Sequence, residues 1–169
     1  METLTTHGGS LRYFACHAGA DFHETPAVAA MRETERRAGL DGDAVYAAFA
    51  EKVRETKRAL LDLLIPLKRR GARIAAYGAP AKGNTLLNYC GIGRDFIDFT
   101  VDRAASKQGK YLPGTRIPIK SPDALGEARP DFLFILPWNL ADEIMTQEAS
   151  IRSWGGRFIV PIPEAAILD

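Results

Sequence analysis

The hydrophobic positions in the first half of the chain recur at helical spacing. From Val45 to Leu67 the apolar residues are separated by 4, 4, 7, 3, 1 and 3 positions. This spacing places them on one stripe of a helix, while charged residues occupy the opposite face. We predict a helix from Asp41 or Asp43 to about Arg70, with its apolar stripe packed in the core.

A strand and a shorter helix are predicted before this long helix. Apolar and polar residues alternate imperfectly over Leu11–Cys16, which is typical of a strand. Thr25 followed by Pro26 is typical of a helix start, with threonine as the N-cap and proline at the first helical position. This helix is expected to end near Gly39.

From residue 72 onwards, short apolar runs alternate with helical segments. The predicted strands cover residues 73–77, 96–101, 117–119, 131–136 and 157–160, and the predicted helices cover residues 81–90, a short segment after 121, and 139–153. Strands that are apolar throughout are buried on both faces, and intervening helices indicate βαβ units. We predict a Rossmann-like three-layer α/β sandwich with a mostly parallel sheet over residues 72–169. Residues 1–71 would pack on it as an N-terminal strand and a long covering helix, in one compact unit.

Charge and hydropathy exclude several classes of protein. The 22 basic and 21 acidic residues give a net charge of +1, so nothing indicates binding to nucleic acid or to an anionic membrane surface. No apolar run approaches the length of a membrane-spanning helix, and the polar start of the chain is unlike a signal peptide. We expect a cytoplasmic protein.

The cysteines and histidines show no metal-ligand spacing. Cys16 and Cys90 are isolated and form no CxxC pair, which is typical of reduced intracellular residues. His7, His17 and His23 share no ligand spacing with each other or with a cysteine. The sequence therefore predicts no metal site in this chain.

The strongest local motif is the segment Tyr77–Thr85, between the first strand and the first helix of the predicted sandwich. A glycine turn, a helix N-terminus and the charge of Lys82 together suit a phosphate or a pyrophosphate. Gly78 and Gly83 match the outer glycines of a dinucleotide-binding turn, but Pro80 stands where its middle glycine would be. The motif is not a P-loop either. A tight strand-to-helix turn without a ligand explains it equally well.

Further candidates follow the second and fourth predicted strands. Asp102 lies about 20 residues after the glycine turn, where an acid often binds a ribose hydroxyl, although it could only cap the next turn. Lys107 and Tyr111 lie in a loop that could fold over a polar ligand or remain solvated. Trp138 could stack on a base or sugar or pack in the core, and Asn139 could bind a ligand or only cap a helix.

Four motifs occur in order along the chain: His7–Arg12, Tyr77–Asn84, Asp102 with Lys107–Thr115, and Leu136–Asn139. Together they resemble the C-terminal domain of the S-adenosylmethionine-dependent sugar C-methyltransferases, which act on nucleotide-linked keto-deoxysugars. The resemblance covers the chain from about His7 to Glu164. In that family, an N-terminal domain binds zinc through cysteines, a middle domain binds S-adenosylmethionine and performs the chemistry, and a Rossmann-like C-terminal domain helps to bind the nucleotide-sugar.

The resemblance implies that this chain is a substrate-binding domain, which could be a fragment of a longer enzyme. S-adenosylmethionine and zinc are expected only in the missing domains, so the isolated chain is expected to bind neither and to hold no catalytic residue. Its expected partners are a nucleotide-diphosphate sugar and the S-adenosylmethionine-binding domain of the full-length protein. His7 would lie where the two domains meet. The substrate-binding residues would be Gly78, Ala79, Lys82, Gly83, Asn84, Asp102, Lys107, Tyr111, Trp138 and Asn139.

Two other classes of function remain open at this point. The chain could be a free-standing Rossmann-like module that binds NAD(P) or a coenzyme A-like ligand, although the missing middle glycine disfavours this reading. It could also be a structural or dimerising domain that uses the apolar stripe of the long helix.

Overall fold

The computed structural model of the protein describes residues 1–6 and 9–169. Contacts between residues divide the chain into two units, Met1–Val53 and Arg54–Asp169. The division between the two units falls inside the predicted long helix. The sequence pattern instead predicted a boundary at the end of that helix, between residues 71 and 72. Across the described residues, no helix is long and apolar enough to cross a bilayer.

The first unit contains a short antiparallel hairpin. Strand β1 (Glu2–Leu4) pairs with β2 (Ser10–Arg12), with Glu2 opposite Arg12. The strand predicted over Leu11–Cys16 thus begins one residue earlier and ends at Arg12. It cannot extend further as a paired strand because β1 offers only three residues for pairing.

The two N-terminal helices agree closely with their predicted bounds. Helix α1 (Pro26–Arg37) begins with proline at its first position, although the side chain of Thr25 makes no capping hydrogen bond. Helix α2 (Asp43–Arg69) is 27 residues long. Pro66 lies in its last turn, and the helix continues beyond it to Arg69.

The second unit is built on a six-stranded sheet. Its strands are β3 (Ile74–Tyr77), β4 (Thr100–Val101), β5 (Ile119–Lys120), β6 (Phe132–Ile135), β7 (Arg157–Val160) and β8 (Ala166–Leu168). They lie in the order β5-β4-β3-β6-β7-β8, and all neighbours are parallel except β7 and β8. This is the strand order of a doubly wound Rossmann sheet, so the predicted fold class is confirmed.

Helices cover both faces of this sheet. The further helices are α3 (Ala81–Cys90), α4 (Ala124–Ala128) and α5 (Ala141–Gln147). One buried cluster joins α2 and α3 to one face, and a second joins α4 and α5 to the other. Along β3, Ile74 and Ala76 belong to the first cluster, while Ala75 and Tyr77 belong to the second. The result is the predicted three-layer sandwich.

The helix predicted over residues 139–153 consists of three pieces. Two 3-10 helices, Trp138–Leu140 and Ala149–Trp154, flank α5. Helix α5 ends at Gln147, because the next residue, Glu148, has a φ of −99° and a ψ of 23° and does not continue the α-helix. Apolar periodicity predicted the buried positions here but not the backbone class, since a 3-10 turn and an α-helical turn bury similar positions.

Two further differences concern the strands. The final strand β8 was not predicted. The strand predicted over 96–101 is regular only at Thr100–Val101, although the N–H of Asp98 already bonds to the carbonyl of Ile74 at 3.0 Å. Short strands at the edge of a pattern leave little periodicity to detect.

Candidate functional site

The candidate site lies near the carboxyl ends of strands β3 and β6, which are neighbours in the sheet. The chain leaves β3 towards β4 on one side and leaves β6 towards β7 on the other, so the connections diverge between these two strands. In open parallel sheets, ligands bind at the carboxyl ends of the strands beside such a divergence. The turn after β3 and the segment after β6 therefore flank the expected binding position.

Gly78 makes the tight turn that ends β3. Its φ is +86°, and a Cβ there would lie 2.9 Å from Cδ of Pro137. Its N–H donates to the carbonyl of Val101 at 2.6 Å, and its carbonyl accepts from the fully buried hydroxyl of Thr100 at 2.7 Å. Glycine is required here both by the backbone conformation and by the close approach of the segment after β6.

Gly83 allows helix α3 to pack closely against the end of β6. A Cβ at this position would lie 2.7 Å from Cβ of Leu136. Gly78 and Gly83 thus supply the tight turn and the close helix packing for which a dinucleotide-binding turn uses its outer glycines. Pro80 is the N-cap of α3 and provides no side-chain cap for the first N–H groups of the helix.

Asp102 joins the turn after β3 to the loop after β4. Its carboxylate accepts hydrogen bonds from the N–H of Ala79 (2.8 Å), the N–H of Ala104 (2.8 Å) and the ammonium of Lys107 (3.0 Å). Lys107 also donates to the carbonyl of Ala79 at 3.1 Å, and Gln108 donates to the carbonyl of Asp102 at 2.9 Å. The side chain of Asp102 is 12% exposed.

These contacts set the ionisation of Asp102. Burial raises the pKa of its carboxyl, but the hydrogen bonds from Ala104, Lys107 and Ala79 and the charge of Lys107 outweigh burial and hold the pKa below its ordinary value. The group is therefore a carboxylate at neutral pH. Both of its oxygens already have protein donors, and the ribose contact expected of Asp102 stays a prediction.

Lys82, Trp138 and Asn139 come together across the same edge of the sheet. The ammonium of Lys82 hydrogen-bonds to Oδ1 of Asn139 and lies 4.7 Å from the centroid of the Trp138 ring. Trp138 is half-buried and packs against both core clusters. Asn139 lies inside a 3-10 helix, and Leu140 is the N-cap of α5, so the expected capping role of Asn139 is wrong.

Two cavities open at this edge, with volumes of about 260 Å³ and about 500 Å³. They share a wall formed by Ala79, Pro80 and Lys107. The polar and charged residues that line only the smaller cavity are Tyr77, Asp102, Arg103, Glu143 and Gln147. Those that line only the larger cavity are Asn84, Thr85, Ser106, Lys110 and Tyr111.

Asn84 lines the larger cavity, but the oxygen of its side-chain amide is closed to solvent and does not face that cavity. Oδ1 of Asn84 is buried and has no hydrogen-bond partner among the described residues. Tyr111 is 63% exposed beside the same cavity and forms an isolated antiparallel bridge with Pro118. The structure thus separates the predicted residues, since Asn84 and Tyr111 line this cavity while Lys82, Trp138 and Asn139 line neither.

Four polar residues of the smaller cavity were not among the predicted site residues: Tyr77, Arg103, Glu143 and Gln147. Arg103 and the hydroxyl of Tyr77 both donate to Oε1 of Gln147 at 3.4 Å, and Gln147 donates to Glu143 at 2.7 Å. Burial, followed by the charge of Glu148, raises the pKa of the Tyr77 hydroxyl. The i,i+4 spacing of Glu143 and Gln147 was the one available signal, but nothing in the sequence showed which way that helix face points.

The expected interface residue His7 lies outside the described residues. Within residues 1–6 and 9–169, no three His, Cys, Asp or Glu side chains come close enough to hold a metal ion. The expectation that zinc is bound outside this chain stays a prediction.

Comparison with known proteins identifies the family of this chain. Residues 5–163 match the C-methyltransferase C-terminal domain family. The chain is 42% identical over 169 residues to C-methyltransferase NovU of Streptomyces niveus. The matched region is 100% of this chain and 40% of that protein. The chain thus spans less than half the length of this relative. The family match covers nearly all of the chain, including the turn after β3 and the segment after β6. The chain therefore belongs to the C-methyltransferase C-terminal domain family.

Proposed function

We propose that this chain is the substrate-binding domain of a sugar C-methyltransferase and that it binds a nucleotide-diphosphate sugar at the carboxyl edge of its sheet. The observation that carries the proposal is the pair of adjoining cavities around Ala79, Pro80 and Lys107. Lys107 and Lys110 supply positive charge, and the adjacent amino end of α3 lacks a side-chain cap. Such an arrangement favours a phosphorylated ligand.

In the complete enzyme, the carbon next to the keto group of the sugar would lose a proton and bond to the transferred methyl group. S-adenosylmethionine, held outside this chain, would supply that methyl group from its sulfonium. The residues of this chain would bind and orient the substrate and would not accept the proton. Holding a reactant in the reactive geometry removes much of the entropic barrier, so a binding domain contributes to rate without catalytic residues.

Isothermal titration of the purified chain tests the proposal. The ligands are a thymidine diphosphate-sugar, NAD, coenzyme A and S-adenosylmethionine. We expect binding of the nucleotide-sugar alone. Lys110→Met should weaken that binding about tenfold, since a charge-assisted hydrogen bond contributes about 1.5–3 kcal/mol when buried and less at an exposed site.

Lys68→Met is the matched control. Lys68 donates to the carbonyl of Ala72, which precedes β3 and so lies at the opposite edge of the sheet. The same substitution there should leave the affinity unchanged. A wild-type chain that binds no nucleotide-sugar, or that binds NAD or coenzyme A as tightly, would overturn the proposal.

A further inference from the structure

We infer that the two cavities are two halves of one elongated site, with the nucleoside diphosphate in the larger cavity and the sugar in the smaller one. This inference rests on the proposed function and assigns each part of the ligand to a place. Ala79, Pro80 and Lys107 line both cavities. A ligand that fills both cavities must therefore pass over these three residues.

The charges of the two linings differ. Among the described residues, the lining of the larger cavity holds Lys107 and Lys110 and no carboxylate. The smaller cavity sets Asp102 and Glu143 against Arg103 and Lys107, so its charges balance. A diphosphate is attracted to the first lining and repelled by the carboxylates of the second, whereas sugar hydroxyls can donate to those carboxylates.

Tyr111 indicates what else the larger cavity holds. Its side chain lines this cavity and is 63% exposed, so its ring presents a face on which a base can stack. A diphosphate has no aromatic face, whereas a nucleoside has one. The nucleoside therefore belongs beside Tyr111.

The smaller cavity suits the neutral end of the ligand. Gln147 accepts from Tyr77 and Arg103 at the long distance of 3.4 Å each, so its oxygen can accept a shorter bond from a hydroxyl instead. Lys107 stands between the two cavities, with its ammonium 3.0 Å from the carboxylate of Asp102. It therefore lies where the diphosphate joins the sugar, and Asp102 is a positioning residue for it.

Three ligands of increasing length test the assignment by titration: inorganic pyrophosphate, thymidine diphosphate and a thymidine diphosphate-sugar. Lys110→Met should weaken all three about tenfold. Tyr111→Ala should weaken thymidine diphosphate and the nucleotide-sugar about tenfold, because the base loses its stacking partner, and should leave pyrophosphate unchanged. Gln147→Ala should weaken only the nucleotide-sugar, by about threefold to tenfold.

A thermal unfolding transition checks that each variant is folded. If Gln147→Ala does not fold, Glu143→Gln is used in its place. The inference is overturned if Gln147→Ala weakens thymidine diphosphate as much as the nucleotide-sugar, or if Tyr111→Ala weakens pyrophosphate as much as thymidine diphosphate. Either result leaves the proposed function standing, because the wild-type chain still binds the nucleotide-sugar. A wild-type chain that binds no nucleotide-sugar overturns the proposed function itself.

Discussion

The backbone N–H of Ala79 donates a 2.8 Å hydrogen bond to the carboxylate of Asp102, although the two residues follow different strands. This bond joins the turn after β3 to the loop after β4 at the edge where the candidate site lies. The turn therefore has a fixed shape before any ligand binds. Fixed geometry lowers the entropy lost on binding, which is the physical benefit of holding the turn in place.

Asp102→Asn should destabilise the fold by about 1–3 kcal/mol at neutral pH. An amide oxygen is a weaker acceptor than a carboxylate, and the amide NH₂ would face N–H donors that now bond to the carboxylate. The pKa of the carboxyl is lowered in the folded protein from 3.8, so its contribution is complete above that pH and is lost as the pH falls through the folded-state pKa. Urea unfolding of both proteins against pH measures this, and the difference in stability should shrink below pH 3.8.

Asp98→Asn is the control for this substitution. Asp98 lies just before β4, whereas Asp102 follows it, and Asp98 is exposed. Its replacement should change stability by less than about 0.5 kcal/mol. Equal losses in the two variants would show that the contacts of Asp102 do not determine its effect.

Thr100→Val should destabilise the fold by about 1–3 kcal/mol, since it leaves the carbonyl of Gly78 without the donor that lies 2.7 Å away. Thr115→Val is the matched comparison, because the buried hydroxyl of Thr115 has no partner among the described residues. Its removal should be neutral or slightly stabilising. Urea unfolding would contradict the structure if both substitutions cost the same.

Gly83→Ala should lower stability by about 1–3 kcal/mol, because the new Cβ would overlap Leu136 and push α3 away from β6. Gly126→Ala in α4 meets no heavy atom within 4 Å and should instead stabilise the helix by about 0.5–1 kcal/mol. Thermal unfolding should therefore shift in opposite directions for the two variants. A shift in the same direction would argue against close packing at Gly83.

Lys82→Met should weaken nucleotide-sugar binding less than Lys110→Met. The ammonium of Lys82 is already held by Asn139 and the Trp138 ring, whereas Lys110 lines the larger cavity. Titration of both variants measures the difference, and the emission of Trp138 should change in the first because its ring loses the cation. An equal or larger loss at Lys82 would place the diphosphate beside Lys82 and Trp138 rather than beside Lys110.

The elements with strong periodicity were predictable and the short or irregular ones were not. Helix α2 and strands β3, β6 and β7 agree with their predicted bounds to within a few residues, because burial imposes a long apolar pattern on each. Strands β1 and β8 are three residues long and were missed. The sequence predicted α5 and the two 3-10 segments beside it as one helix, because a 3-10 turn buries similar positions to those of an α-helical turn.

The sequence by itself determined the fold class, the family and the edge of the sheet where the candidate residues gather, since parallel strands bring their carboxyl ends to one edge. Only the tertiary structure decided the partner of each side chain. Asp102 meets Ala79 across 23 residues and Lys82 meets Asn139 across 57. Such pairs depend on distances between separate segments, which neither periodicity nor local spacing encodes, so the two cavities and their different charges appear only once the chain is folded.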